Sequence, residues 1–260
     1  MRQLYWLQQD GGPLFPKLLW SRPEGRNSAG KLLVVGGTKQ SFATPANAFV
    51  VAQRTGAGSV HLLLPNSLEK TVRKLLPEAS FAPSTQSGSF ARPALAEMLS
   101  EASWADATLL CDDLGNNSET LALLEAFLHK HSASISMSVT SLTSLPPKTA
   151  QACLLRQNTL IYGNFESFQK LFRHTGQPVA LTSAMGTVQL VEALHNLNTQ
   201  GKTNLLCTYQ NTVFIASESK VSTTPTDKHA SELAVGATVW WLQNPTKPFE
   251  AITSSFVADD

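Results

Sequence analysis

Six short apolar runs constrain this chain more than any other feature of its sequence: KLLVVG (31–36), SVHLLLP (59–65), ATLLCD (107–112), ISMSV (135–139), NTLIY (158–162) and PVALTS (178–183). Several are continuously apolar rather than alternating, the pattern of strands buried on both faces of a parallel sheet. Helical segments separate them. Residues 45–55 begin with Pro45 behind a Thr44 cap, residues 67–76 (SLEKTVRKLL) begin with a Ser cap, and residues 184–200 also read as helix. Residues 117–131 open on Asn and Ser and close on Lys and His, as the helix dipole favours. Further on, LLCTYQNTVFIASESKVSTT (205–224) reads as a hairpin turning at Gln210–Asn211, then a third extended piece, then a last helix at about 229–243. The expected fold class is α/β: one doubly wound, mostly parallel sheet with helices on both faces, closed by an antiparallel element. Residues 1–30, broken by Pro13, Pro16 and Pro23, are expected to be an irregular N-terminal extension. Their Trp6, Phe15 and Trp20 are expected to pack onto a single domain spanning 31–260.

Composition narrows the function classes. With 42% hydrophobic and 15% charged residues, a 260-residue chain buries a sizeable core. A net charge of +1 and the lack of a Lys/Arg run argue against nucleic acid as a partner. No apolar run approaches the roughly 20 residues that span a bilayer, so no membrane association is expected. The N-terminus lacks the apolar stretch of a signal peptide, and a cytoplasmic location is the expectation. Cys111, Cys153 and Cys207 lie far apart and beside apolar segments, so they read as buried thiols and not as a metal or disulfide framework.

Four stretches carry candidate chemistry. GKLLVVGGTKQSFATPA (30–46) is strand, glycine turn and helix, and Gly36, Gly37 and Thr38 would let a ligand approach the backbone. It lacks the third glycine of a dinucleotide fingerprint and the GK[ST] of a P-loop. In LLCDDLGNNSET (109–120), Asp112 and Asp113 follow a strand and precede Gly115 and Asn116. Carboxylates there sit where open α/β sheets bind ligands, or they satisfy the turn and the helix start. In LIYGNFESFQKLF (160–172), Glu166 just after a strand could bind a ligand or favour a helix dipole. In TDKHASELAVGATVWWL (226–242), a helix begins behind Asp227, Lys228 and His229, with Ser231 in its first turn and no glycine. A helix N-terminus is a natural anion site, but this one offers side chains where a phosphate would need open backbone. His61 reads as a core histidine, and His129, His131 and His174 as solvated. Trp240–Trp241 reads as core, or as a partner surface. The Gly-Ala-Gly at 56–58 reads as a helix C-cap with close helix–sheet packing.

The order of these pieces resembles the ADP-dependent NAD(P)H-hydrate dehydratase family of the ribokinase-like superfamily. Gly36, Gly37, Thr38, Phe42, Arg54, Gly56, Ala57 and Gly58 match that family's strand, Gly-Gly-Ser/Thr and Arg-x-Gly-Ala-Gly pattern, and the resemblance runs from about 30 to 244. It implies a ribokinase-like fold, ADP or ATP with Mg²⁺ as cofactor, and a homo-oligomer. The later blocks depart from the family. Its GPGLG turn falls on CDDLG, keeping only Leu114 and Gly115. Its aspartate-bearing strand end falls on SVTSL (138–142), its TPHPGE loop on IYGNFE with only Glu166 kept, and its Lys-Gly on Cys207–Thr208. Its GTGD anion hole falls on KHAS (228–231), which puts Ser231 at the place of the base and leaves Asp227 four residues upstream.

These losses imply a catalytically degenerate dehydratase-like, carbohydrate-kinase-like protein in which nucleotide binding is weakened or lost. Two alternatives stand beside it. One is an active nucleotide-dependent dehydratase or small-molecule kinase on a remodelled site built from Asp112, Asp113, Glu166, Asp227 and His229. The other is a non-enzymatic oligomeric interaction protein.

Overall fold

All five apolar runs between residues 31 and 162 fold as strands. The computed structural model describes residues 4–20 and 22–257. Its strands are Trp6–Gln8 (β1), Lys31–Val35 (β2), Ser59–Pro65 (β3), Ala79–Ala82 (β4), Ala107–Leu110 (β5), Ser134–Ser138 (β6), Thr159–Asn164 (β7), Asn204–Tyr209 (β8), Thr212–Ser217 (β9) and Lys220–Pro225 (β10). Its helices are Pro16–Trp20 (α1), Ala43–Thr55 (α2), Glu69–Val72 (α3), Leu95–Trp104 (α4), Ser118–Lys130 (α5), Val139–Thr143 (α6), Pro147–Leu154 (α7), Phe165–His174 (α8), Thr187–Gly201 (α9), Ala230–Gln243 (α10) and Pro248–Ser254 (α11). The chain divides into two compact units, residues 23–137 and residues 1–22 with 138–260.

In the 23–137 unit the strand order is β4-β3-β2-β5-β6, and every neighbouring pair is parallel. Leu32, Leu33, Val34 and Val35 are all fully buried. Successive strand residues point to opposite faces, so both faces of β2 are covered, as a continuous apolar run requires. The helix α2 buries Pro45, Ala48, Phe49 and Ala52, one stripe at helical spacing, and ends at Gly56 in the left-handed region (φ 96°). Two residues on, Gly58 packs where a Cβ would collide with the Arg26 carbonyl oxygen, so only glycine fits.

In the other unit β8, β9 and β10 form an antiparallel meander. The strand β7 lies parallel to β8, and β1 lies parallel to β10. The two hairpin turns, Gln210–Asn211 (φ 46° and 55°) and Glu218–Ser219 (φ 50° and 57°), each place two consecutive residues in the left-handed region, the arrangement that matches strand twist. The core beneath α10 brings Trp240 together with Leu18 of α1 and Ala251 of α11. The Arg22 guanidinium lies 4.9 Å from the Trp240 ring centroid.

Several expectations are corrected. Residues 178–183 form a loop: Val179 and Ala180 are exposed and only Leu181 is buried, so the run has no second apolar face, and β8 takes the place beside β7. The helix expected over 67–76 shrinks to α3, because the Ser67 hydroxyl donates to the Gly88 carbonyl (2.9 Å) and does not cap it. The helix α2 starts at Ala43, which places Thr44 inside it. The first 30 residues include β1 and α1. Trp6 donates to the Thr223 hydroxyl (3.0 Å) and Phe15 meets Phe249 edge-on, but Trp20 is 90% exposed. His131 is buried against Phe127, while His61 is part-exposed, stacked on Trp104 and 2.9 Å from Glu101. Both Trp240 and Trp241 are buried, so neither forms a surface.

The two tryptophan environments predict opposite outcomes. Trp240→Ala removes a fully buried side chain and is expected to lower stability by about 3–5 kcal/mol. Trp20→Ala is expected to change it by less than about 0.5 kcal/mol. Urea unfolding midpoints measured with matched denaturant slopes check both.

Candidate functional site

The topology of the 23–137 unit creates a crevice. From β2 the chain builds outward through β3 and β4 on one side, then returns to place β5 and β6 on the other. The turns after β2 and β5 therefore leave the same strand ends in opposite directions. Such a reversal is where open parallel sheets receive ligands. The turn after β2 holds Gly36, Gly37 and Thr38, and the turn after β5 holds Asp112, Asp113, Gly115 and Asn116.

Asp113 ties the two turns together. Its Oδ1 accepts the Gly37 N–H at 3.1 Å, and its Oδ2 accepts the Ser41 hydroxyl at 3.3 Å. Thr38 and Ser41 close the β2 turn with a reciprocal pair of backbone bonds at 2.7 and 3.0 Å. Gly36 is required by this closure: a Cβ there would stand 2.8 Å from the Cys111 Cβ and 3.0 Å from the Asp113 Oδ1. Burial raises the Asp113 carboxyl above the usual aspartate range. The Gly37 N–H, its own backbone N–H and Ser41 pull it down, and the Asp112 charge adds a small upward push. Asp112 and Asn116 are exposed, whereas Asp113 is half-buried and makes the Gly37 and Ser41 contacts. Burial, and then the two neighbouring carboxylates, push the Cys111 thiol well up, so it stays protonated. Gly115 lies against Ser89, whose hydroxyl accepts from the Asn117 amide at 2.7 Å. The Asn117 Oδ1 caps α5 by accepting from the Thr120 N–H at 2.9 Å.

The remaining candidate residues belong to the other unit. Glu166 is exposed in the first turn of α8, whose cap is the Asn164 side chain. Asp227, Lys228 and His229 are exposed ahead of α10, His229 is its N-cap residue without a side-chain cap bond, and Ser231 follows in the first turn. No hydrogen bond or ion pair joins Glu166, Asp227 and His229 among the described residues. The approach to α10 carries no backbone nest. A phosphate nest needs consecutive backbone N–H groups in alternating right- and left-handed conformation. No residue from 226 to 231 has positive φ, and the Lys228 N–H is taken by the Thr226 hydroxyl at 3.2 Å. Cys207, at the family's lysine position, is fully buried with its thiol pushed up by burial, so it offers no cation. Among the described residues no three His, Cys, Asp or Glu side chains cluster at metal-binding distance. The sequence gives no sign of Ser41 as a partner of Asp113, because only the fold brings residues 72 positions apart into contact.

No family model matches this chain, and no curated protein matches it. Solved structures do. A ribokinase-like superfamily protein of Enterococcus faecalis V583 superposes with a TM-score of 0.73 at 13% identity, over 99% of this chain and 87% of that one. An ADP/ATP-dependent NAD(P)H-hydrate dehydratase of Bacillus subtilis, co-crystallised with ATP and Mg²⁺, gives 0.64 at 15%, over 94% and 86%. A pyridoxal kinase of Staphylococcus aureus in complex with pyridoxal gives 0.58 at 12%, over 87% and 85%. At these identities the likeness is one of fold, and the fold is ribokinase-like α/β.

The Asp113 geometry has a consequence for stability. Its folded pKa lies above the unfolded value of 3.8, so its contribution is fully present below about pH 4 and is lost as pH rises through the folded pKa. Asn in its place keeps an oxygen for the Gly37 N–H and carries no charge. Asp113→Asn is therefore expected to gain stability relative to the native chain as pH rises from about 4 to 7. Thermal unfolding midpoints of both proteins across that range check the sign.

Proposed function

We propose that this chain is a divergent, catalytically degenerate relative of the NAD(P)H-hydrate dehydratases that keeps the ribokinase-like architecture without the machinery for nucleotide-driven dehydration. The observation that carries this reading is the bond from the Gly37 N–H to the Asp113 carboxylate at 3.1 Å. By resemblance, Asp112 and Asp113 stand where the family has the Pro-Gly of its glycine-rich turn. Glycine there would leave backbone donors open to a ligand's oxygens. Here a carboxylate takes the donor, and a phosphate at the same point would meet like charge.

The second support is the approach to α10. Dehydration of this kind needs donors aimed at developing charge, each worth on the order of 3 kcal/mol. It also needs a general base worth about 10²–10⁴-fold in rate. Ser231 has no useful basicity at neutral pH, and Asp227 is exposed beside Lys228 and His229. ADP, ATP and Mg²⁺ accordingly have no formed place at that helix end in this reading.

A second reading, an interaction protein on the ribokinase-like platform, has one observation in its favour. The helix α1 buries Leu18 against Trp240 and Ala251 yet presents Trp20 at 90% exposure. An exposed tryptophan is a typical anchor of protein contacts. In this reading the chain is a homo-oligomer joined through that surface.

Two experiments separate the readings. Purified protein given hydrated NADH with ADP or ATP and Mg²⁺ is expected to regenerate NADH no faster than buffer. ADP-dependent turnover that disappears in Asp227→Asn would overturn the degenerate reading. Light scattering at micromolar concentration tests the platform: a multimer that Trp20→Ala reduces to monomers supports it, and a native monomer rejects it.

A further inference from the structure

The 23–137 unit carries a cleft of about 650 Å³ lined by Lys39, Lys70, Lys74 and the Arg73–Glu69 pair, beside Asn66 and Ser67. We infer that this cleft binds the phosphate chain of a small molecule carrying at least two phosphate groups. The inference stands apart from the proposed function, since it uses none of the crevice carboxylates.

Three observations carry it. The first is the charge balance. Arg73 is already neutralised, its guanidinium 2.7 Å from the Glu69 carboxylate and stacked 4.9 Å from the Phe81 ring centroid. Lys39, Lys70 and Lys74 have no carboxylate partner among the described residues. Lys70 lies in α3 and Lys74 in the turn that follows it, so both stand on one short stretch of chain. Three lysines without a carboxylate partner among the described residues thus line one cleft, in a chain whose net charge is only +1. A single monovalent anion leaves most of that positive charge unmatched, and a chain of phosphates matches it.

The second observation is construction. Lys39 is held at the cleft by the backbone. Its N–H donates to the Gly88 carbonyl at 2.9 Å, and the same carbonyl accepts the Ser67 hydroxyl at 2.9 Å. Gly88 has φ +87°, and a Cβ on it would collide with the Lys39 Cβ, so this approach requires glycine. The Asn66 Oδ1 accepts from the Ser84 N–H (3.1 Å) and hydroxyl (2.6 Å), which leaves the Asn66 amide nitrogen as a donor. Three separate loops are thereby stitched into one wall of donors.

The third is position. The cleft lies beyond the carboxyl ends of β2 and β3, where ligands of parallel sheets bind. Its volume falls in the range of small-molecule sites, about 300–1,000 Å³.

Calorimetric titration of the full chain tests the inference, with tripolyphosphate and ATP as probes and inorganic phosphate and sulfate as controls at equal ionic strength. Tripolyphosphate is expected to bind saturably, more weakly at 200 mM than at 50 mM NaCl. Lys39→Gln, Lys70→Gln and Lys74→Gln are each expected to weaken it by about 2–5-fold, and the triple variant by about 10-fold or more. These lysines are exposed, so unfolding midpoints should not move and lost binding reports lost contacts. ATP binding that the triple variant also loses extends the ligand class to nucleotides. The inference is overturned by an absence of saturable binding, by inorganic phosphate binding as tightly as tripolyphosphate, or by full binding in the triple variant.

Discussion

Parallel pairing of β2 on both of its edges is the constraint on which the 23–137 unit depends. Leu32 to Val35 are buried on both faces, and their partners are β3 on one edge and β5 on the other. Because these pairs are parallel, the turns leaving β2, β3 and β5 all emerge at one end. Because β2 and β5 are neighbours, the turns that leave them begin side by side. The Gly37–Asp113 hydrogen bond, the β2 turn held by Thr38 and Ser41, and the need for glycine at 36 all follow from that geometry.

The same loop between β2 and α2 has opposite chemistry on its two sides. Inward, Gly37 and Ser41 serve a carboxylate that burial holds above its ordinary pKa. Outward, Lys39 joins Lys70 and Lys74 at the cationic cleft. The crevice between the turns is thus guarded by negative charge, while positive charge gathers a short distance along the same backbone.

Much of the architecture is legible in the sequence because burial on two faces leaves a pattern that local reading detects. The runs at 31–36, 59–65 and 107–112 could not be half-exposed, and each is a strand. The Gln210–Asn211 turn was legible for a similar reason: Asn tolerates positive φ, and apolar runs flank it. PVALTS fails the same test, since its apolar residues are too few to cover two faces and it lies at the surface. The short β1 and β4 and the helices α7 and α11 carry weak local signals, and tertiary packing selects them. The histidines illustrate the limit. His131 is buried and His61 part-exposed, against expectation, because each is placed by an aromatic neighbour, Phe127 or Trp104.

The sequence by itself determined the α/β class, the strand cores, the glycine turn after β2, the paired aspartates after β5 and the glycine-free approach to α10. These are properties of residue type and local spacing. Only the tertiary structure decided that Asp113 and not Asp112 turns toward Gly37, that Ser41 joins it, and that Gly88 holds Lys39 beside Lys70 and Lys74. Each of those contacts joins residues from different loops. Their distance is fixed by strand order and by which side chains the packed sheet leaves room for, and neither quantity is written in any local stretch of the chain.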